Sequence, residues 1–182
     1  MLEIEMKFRC PDLQALRRRI EERGARPAGS RVDFDTYFNA PHRNFAETDE
    51  AFRIRQIGDR SFLTYKGPRI DQQTKTRREI EVELATKPGT GAMSAEMLLA
   101  LGFHQVAVVK KEREMFHHSI DGFDVEITLD RVENVGHYAE LEIMAEEPKL
   151  PAAKAALLQL ASDLGLTQSE RRSYLELLLA RH

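Results

Sequence analysis

The chain has 182 residues, 42% of them hydrophobic and 31% charged, which suffices for one well-buried core and is short for two, so we expect a single domain over residues 1–182. The formal net charge of -3 excludes the bulk positive field of a typical nucleic-acid-binding protein, and no nucleic-acid partner is expected. A single cysteine excludes an internal disulfide, and the absence of an apolar leader or membrane-length stretch predicts a cytoplasmic protein without a membrane partner.

The first half of the chain predicts five strands and one helix. Leu2 to Arg9 alternates apolar and charged residues, which is typical of a half-buried β-strand. A helix over 12–24 follows, because apolar residues recur at helical spacing before Gly24. Further strands are predicted at 35–41, 51–56, 61–68 and 77–84, with turns at Gly58-Asp59 and Gly67-Pro68.

The second half predicts three more strands and the remaining helices. The Gly-Thr-Gly segment at 89–91 lacks the residues of a phosphate-binding loop and is expected to be a flexible connection, followed by a short capped helix over 94–103. Strands are predicted at 108–116, 123–130 and 137–144, the first two joined by a tight turn at Asp121–Gly122. Residues 151–182 show a helical rhythm that breaks at Gly165. The pattern therefore predicts an α+β protein of about eight strands and four helices.

The charged residues of these strands are sorted by strand. Because side chains alternate between the faces of a strand, parity assigns apolar residues to one face and charged residues to the other. Acids dominate at Glu3, Glu5, Glu79, Glu81, Glu83, Glu126, Asp130, Glu140 and Glu142. Bases dominate at Arg53, Arg55, Lys66, Lys111 and Arg113. A sheet face in water would instead pair unlike charges across its strands.

This sorting favours a ligand that carries charges of both signs. Carboxylates that are crowded together repel one another, and as hard oxygen ligands they suit Mg²⁺, Mn²⁺ or Ca²⁺. Clustered arginines and lysines suit an oxyanion, since the planar guanidinium group binds two phosphate oxygens at once. The residues therefore predict a site for a complex of a divalent metal with a polyphosphate.

A closed antiparallel barrel would bring the charged faces together. Eight strands enclose an interior narrow enough for side chains from opposite walls to reach one ligand. The apolar faces would then point outward and be covered by the helices. The alternative is an open sheet with helices on one face and the charged face in water, and the residues alone leave both open.

The motifs of the chain resemble those of the CYTH domain, the family of triphosphate tunnel metalloenzymes. The resembling segments are Glu3-x-Glu5-x-Lys7, RIR at 53–55, YKGP at 65–68, RREIEVE at 77–83, KKER at 110–113, EITLD at 126–130 and AELE at 139–142. The segment RSYLELL at 172–178 looks like the tail of class IV adenylyl cyclases of the CyaB type. Those cyclases often carry a His-Phe pair before the first motif, and here only Met1 and Leu2 precede Glu3.

The resemblance implies a tunnel of eight antiparallel strands, with helices outside, that binds a triphosphate with Mg²⁺ or Mn²⁺. It implies substrate binding by Lys7, Arg53, Arg55, Lys66, Arg77, Lys111 and Arg113. It implies metal binding by Glu3, Glu5, Asp130, Glu140 and Glu142. Catalytic roles fall to Lys7, Glu5 and Glu140.

The resemblance leaves three functions open. A CyaB-like adenylyl cyclase would convert ATP to cyclic AMP and pyrophosphate, and a triphosphatase would hydrolyse the terminal phosphate of ATP, tripolyphosphate or thiamine triphosphate. Both reactions use metal ions and cationic side chains to offset the charge of the transition state. A non-catalytic polyphosphate- or nucleotide-binding module is the third hypothesis, and a homodimer is a possible assembly.

Overall fold

The computed structural model describes residues 2–71 and 74–181. Its strands are β1 (Leu2–Arg9), β2 (Arg26–Asn39), β3 (Ala51–Ile57), β4 (Arg60–Lys66), β5 (Arg77–Glu83), β6 (His104–Ile120), β7 (Phe123–Val132) and β8 (Gly136–Ala145). Its α-helices are α1 (Leu13–Glu22), α2 (Thr90–Ala100), α3 (Leu150–Asp163) and α4 (Tyr174–Leu179), and a short 3₁₀ turn spans Glu147–Lys149. None of the helices in these ranges is long and apolar enough to cross a membrane.

The strands form a closed barrel in which every neighbouring pair is antiparallel. Around the barrel the order is β1-β5-β4-β3-β2-β6-β7-β8, and β8 pairs with β1 to close it. The pairing places Glu5 opposite Glu142 and Lys7 opposite Glu140, so side chains of matching parity point inward on adjacent strands. The predicted α+β fold with a closed eight-stranded tunnel is confirmed, and the open-sheet alternative is wrong.

The main hydrophobic core lies outside the barrel, between its outer face and the helices. Ile4, Ile127 and Leu141 on the strands pack in one buried cluster with Leu16 of α1 and Leu157 of α3. Residues of alternate parity thus lie in two environments. The apolar faces of β1, β7 and β8 are buried under helices, whereas the charged faces line the interior.

Local sequence signals fix several boundaries. Helix α1 begins after Asp12, whose side chain accepts a hydrogen bond of 2.9 Å from the backbone N–H of Ala15. The β6–β7 hairpin turns through Asp121 and Gly122, both with positive φ, as predicted for a tight turn. Helix α4 begins at a capping box, in which the Ser173 and Glu176 side chains bind each other's backbone N–H.

Three predicted elements have wrong boundaries. Strand β6 runs over His104–Ile120 rather than 108–116. Strand β2 begins at Arg26 rather than at residue 35, and its added length alternates like the others, with Val32 and Phe34 on the outer face. Helix α2 begins at Thr90, so the segment expected to be a flexible connection forms its first turn. Gly91 in this first turn packs closely against β4, where a side chain would meet Ser61.

Candidate active site

The interior of the barrel is a tunnel of about 260 Å³ lined by side chains from all eight strands. The predicted site residues that line it are Glu3, Glu5, Lys7, Arg53, Arg55, Lys66, Arg77, Lys111, Arg113, Glu140 and Glu142. The structure therefore brings together eleven of the twelve predicted residues in one cavity. Asp130 is the exception, since it is fully buried and does not line the cavity.

The two signs of charge lie on opposite halves of the tunnel. The neighbouring strands β7, β8, β1 and β5 present Glu126, Glu140, Glu142, Glu3, Glu5, Glu79 and Glu81. The neighbouring strands β4, β3, β2 and β6 present Lys66, Arg53, Arg55, Arg31, Lys111 and Arg113. Lys7 and Arg77 are cations within the acidic half, and Asp33 and Asp35 are acids within the basic half.

A row of three glutamates crosses the acidic half. Glu5 on β1 is the register partner of Glu142 on β8, which is in turn the register partner of Glu126 on β7. Like charges placed opposite one another destabilise a sheet unless a cation lies between them. Burial, together with the neighbouring Glu3, raises the pKa of Glu142 to about 8.

Glu3 belongs to the same acidic cluster. Burial raises its pKa to about 7, opposed by the Lys66 ammonium with which it forms an ion pair. Lys66 also lies 2.5 Å from Glu79, and although burial pushes the other way, Lys66 lowers the pKa of Glu79 to about 2. Of this pair we assign the proton to Glu3, which is the more deeply buried carboxyl group.

The basic half is organised around Asp35 of β2. Its carboxylate accepts hydrogen bonds from Arg55 at 2.7 and 2.9 Å and from Arg53 at 3.0 Å. The Lys111 ammonium lies 3.3 Å from the same carboxylate. Burial together with the nearby guanidinium groups of Arg113 and Arg55 lowers the pKa of Lys111 to about 8. Asp35 thus holds three cations in place while leaving the basic half with excess positive charge.

Arg113 joins the two halves. Its guanidinium group donates two hydrogen bonds of 2.8 and 2.7 Å to Asp130 and one of 2.6 Å to Glu140. The second oxygen of Asp130 also accepts a 2.8 Å hydrogen bond from the Tyr174 hydroxyl. Asp130 therefore orients Arg113 from the inner face of β7, but it is enclosed by Arg113 and Tyr174 and does not line the tunnel as predicted.

The C-terminal segment covers the tunnel beside Lys7. The Lys7 ammonium donates to the backbone carbonyl of Arg172 and lies 4.1 Å from the centre of the Tyr174 ring. Burial and the adjacent Lys75 lower the pKa of Lys7 to about 7. A buried lysine with such a pKa can accept a proton near neutral pH, as a general base requires.

Three charged residues of the site were not predicted from the sequence. Lys75 precedes β5, lies outside any predicted strand and forms a buried ion pair with Glu5. Arg31 and Asp33 lie in the first half of β2, where they alternate with the apolar Val32 and Phe34. This alternation is a signal from which strand parity could have predicted that both side chains point inward.

The chemistry of the donor set fits a metal and an oxyanion. Among the described residues, buried polar atoms without a hydrogen-bond partner include the acceptor Glu3 Oε2 and the donors Arg53 Nε and Arg77 Nε. Unpartnered acceptors suit a divalent cation, and unpartnered guanidinium donors suit phosphate oxygens. In the same part of the chain, no three acidic, histidine or cysteine side chains stand close enough together to form a ready metal site. The glutamates would have to exchange their lysine and arginine partners to coordinate one.

Comparison with known proteins places these features in a family context. The model of the family described as the CYTH domain matches residues 1–174. A Methanocaldococcus jannaschii protein with the provisional name of adenylate cyclase is 33% identical over 180 residues, covering 97% of this chain and 98% of its own. The adenylate cyclase CyaB of Aeromonas hydrophila is 30% identical over 178 residues, covering 94% of this chain and 86% of its own.

Solved structures share the same architecture. A Pyrococcus horikoshii protein is similar with a TM-score of 0.86 and 38% identity, over 99% of each chain. A Hippeastrum protein described as having a dominant triphosphatase activity is similar with a TM-score of 0.69 and 16% identity, over 98% of this chain and 96% of its own. At 16% identity, the similarity to the Hippeastrum protein shows only that the two proteins share a fold.

Proposed function

The chain belongs to the CYTH domain family, and on that premise we propose that its tunnel binds a triphosphate with Mg²⁺ or Mn²⁺ and acts as a CyaB-like adenylyl cyclase. The observation that carries the proposal is the division of the tunnel into an acidic and a basic half. A passive anion site would gain affinity by losing its glutamates, whereas a metal–triphosphate complex uses both halves.

The basic half would hold the phosphate chain. Arg53, Arg55 and Lys111 are fixed by Asp35, so their donors are already oriented when an oxyanion enters. Arg113 is fixed in the same manner by Asp130. Lys66 and Arg77 add donors at the border with the acidic half. Such preorganised cations stabilise charge that develops on phosphate oxygens without reorganising during the reaction.

The acidic half would hold the metal. Glu3, Glu5 and Glu142 provide hard carboxylate oxygens within one cluster, with Glu140 beside them, and we retain Asp130 only as the group that orients Arg113. When bound, the metal would neutralise phosphate charge and polarise the bond to phosphorus. Its binding would displace protons from Glu3 and Glu142, because pKa values of about 7 and about 8 leave Glu3 partly and Glu142 mostly protonated at neutral pH.

Lys7 is the proposed general base. In the cyclase reaction the ribose 3′-oxygen forms a bond to the α-phosphorus, the bond from that phosphorus to the bridging oxygen breaks, and pyrophosphate leaves. The proton of the 3′-hydroxyl passes to the neutral amine of Lys7. In a triphosphatase reaction, the oxygen of a water molecule forms a bond to the terminal phosphorus, the bond from that phosphorus to the bridging oxygen breaks, and the diphosphate leaves. The same amine takes the proton of the water.

The triphosphatase is the second candidate, because these residues would serve either reaction and the fold is shared with a protein described as having that activity. We propose the cyclase first, since both sequence relatives carry cyclase names. Cytoplasmic location and a homodimer stay predictions.

Product analysis separates the candidates. Incubation with ATP and Mg²⁺ or Mn²⁺, followed by ³¹P NMR and chromatography, is expected to yield cyclic AMP and pyrophosphate in equal amounts. Inorganic phosphate with ADP would favour the triphosphatase. Binding of ATP without either product, from neutral to alkaline pH, would leave only the binding module.

A further inference from the structure

Lys75 adds a cation to the acidic half of the tunnel. Its side chain lines the cavity and forms a buried ion pair with Glu5, the two residues being 4% and 6% exposed. Among the described residues, this ion pair is the only one that Glu5 makes. Glu5 is also one of the carboxylates proposed to hold the metal. The Lys75 ammonium group and a divalent cation therefore compete for the same carboxylate.

The backbone around Lys75 is held in place. Its N–H donates a 2.9 Å hydrogen bond to the backbone carbonyl of Glu5. On either side of it, the buried hydroxyl groups of Thr74 and Thr76 are hydrogen bonded to each other at 2.7 Å. The Thr76 carbonyl accepts a 2.8 Å hydrogen bond from the Ile70 N–H. Because the ammonium group ends a flexible four-carbon chain, Lys75 can change its partner by side-chain rotation alone.

Lys66, the other lysine among these glutamates, is held more firmly. Its ammonium group forms an ion pair with Glu3 and lies 2.5 Å from Glu79, so two carboxylates hold it. In the part of the chain that the structure describes, Lys75 has one carboxylate partner. A cation that is attracted by one carboxylate leaves more easily than a cation attracted by two. Lys75 is therefore the cation that gives way first.

An exchange at Glu5 is unfavourable unless both charged groups find new partners. A buried carboxylate without a counter-charge is costly, and so is a buried ammonium group. If a divalent cation alone took Glu5, Lys75 would lose its partner. If a triphosphate alone drew Lys75 away, Glu5 would lose its partner. Only the two ligands together satisfy both groups.

We propose that Lys75 is the exchangeable counter-cation of Glu5, which neutralises this carboxylate before ligands bind and turns to a phosphate oxygen when a divalent cation binds Glu5. The inference rests on the proposed function and deepens it, because it adds Lys75 to the residues that bind the triphosphate. It also makes Lys75 a link between the two halves of the site. By linkage, each ligand then raises the affinity for the other by the same factor.

Lys75→Met tests the exchange, because methionine removes the charge and keeps an unbranched side chain. Calorimetric titration with Mn²⁺ as the metal probe and tripolyphosphate as the anion measures the two affinities. Loss of the competing cation should tighten the binding of Mn²⁺ alone at least fivefold. The same loss removes a partner of the phosphates, so tripolyphosphate at saturating Mn²⁺ should bind at least tenfold more weakly.

Two further variants control the measurement. Lys87→Met removes an exposed lysine that does not line the tunnel, so both affinities should stay within twofold of the wild-type values. Lys75→Gln removes the same charge as Lys75→Met but can still donate a hydrogen bond to Glu5, and it should shift both affinities in the same directions. Thermal melts show whether each variant is folded, and Lys75→Gln keeps the test available if Lys75→Met does not fold. Mn²⁺ alone should raise the melting temperature of the folded Lys75 variants more than that of the wild type.

The outcomes separate the exchange from a structural role and from the proposed function. A purely structural role of Lys75 would weaken the binding of both ligands in its variants. Unchanged or weaker binding of Mn²⁺ alone, or unchanged binding of tripolyphosphate, would overturn the inference and leave the tunnel function standing. If the wild-type protein binds tripolyphosphate with Mn²⁺ but forms no product from ATP, the proposed catalysis fails and the exchange stands. If the wild-type protein binds neither ligand, both proposals fail.

Discussion

Lys111 carries a charge that changes within the pH range of ordinary assays. With a pKa of about 8, its ammonium group is protonated at pH 7 and loses its charge as the pH rises through that value. Because the cation attracts phosphate oxygens, triphosphate affinity should fall as the pH rises from 7 to 9.5. In Lys111→Arg the charge persists, so this part of the pH dependence should be lost.

Calorimetric titration of tripolyphosphate at several pH values would check this prediction. Lys110→Arg is the matched control, since Lys110 lies on the outer face of β6 and pairs with Glu133. Parallel pH profiles for wild type and Lys111→Arg would show that Lys111 does not contribute to the phosphate site.

Glu140 and Arg113 contact each other but should differ in kinetic effect. Glu140→Gln removes a carboxylate beside the proposed metal cluster, so turnover should be lost while nucleotide affinity at high metal concentration is largely kept. Arg113→Ala removes charged hydrogen-bond donors, so binding should weaken by about 1.5–3 kcal/mol.

Steady-state kinetics and equilibrium binding on the same preparations would separate the two effects. Glu112→Gln on the outer face of β6 is a control for a lost carboxylate that does not line the tunnel. The account of separate roles would be contradicted if Glu140→Gln weakened binding as much as Arg113→Ala and kept its turnover.

At the scale of elements, helix α2 depends on close contact with the barrel. A Cβ atom at Gly91 would lie 2.5 Å from Ser61 Oγ and 3.1 Å from its Cβ, so the buried Ser61 hydroxyl would have to rotate and the helix would have to shift slightly from β4. We predict that Gly91→Ala destabilises the protein by about 1–3 kcal/mol, the usual cost of overpacking.

Chemical denaturation would measure this loss. Gly67→Ala is the matched control, because its added Cβ would meet its nearest neighbour at 3.7 Å, an ordinary contact, and its φ is not positive. A destabilisation of Gly91→Ala no larger than that of Gly67→Ala would mean that α2 shifts without cost.

The elements also show why sequence reasoning succeeded in part. Alternation of apolar and charged residues predicted most strands and the inward direction of eleven site residues, since the period of two is a property of the strand itself. The alternation placed Asp130 correctly on the inner face of β7. It did not predict the burial of Asp130, which depends on contact with Tyr174 of the C-terminal helix. Strand parity does not apply to Lys75, because this residue lies before β5. Its ion pair with Glu5 is therefore seen only in the folded structure.

At the scale of the molecule, closure of the barrel brings the charged faces of all the strands around one cavity. Most strands carry charges of mostly one sign on their inner face, and the strand order gathers the acidic strands β7, β8, β1 and β5 on one side and the strands with the tunnel-lining cations, β4, β3, β2 and β6, on the other. This grouping could not be read from the sequence, because it depends on which strands pair. Strand β5 pairs with β4, its neighbour in the chain, but it also pairs with β1. The partly protonated glutamates and the partnered cations are consistent with a site that takes up a metal and a polyanion together.

The most direct test of this account is a set of thermal melts with tripolyphosphate and Mg²⁺, each alone and both together. Each ligand fits one half of the tunnel and relieves repulsion for the other, so the stabilisation by both should exceed the sum of the separate effects. At a free ligand concentration about a hundred times the dissociation constant, linkage gives roughly 2.7 kcal/mol. Glu142→Gln should reduce the excess, because it removes an acid from the row that includes Glu5. Additive shifts, or no shift with both ligands present, would contradict the claim that the two halves form one metal–triphosphate site.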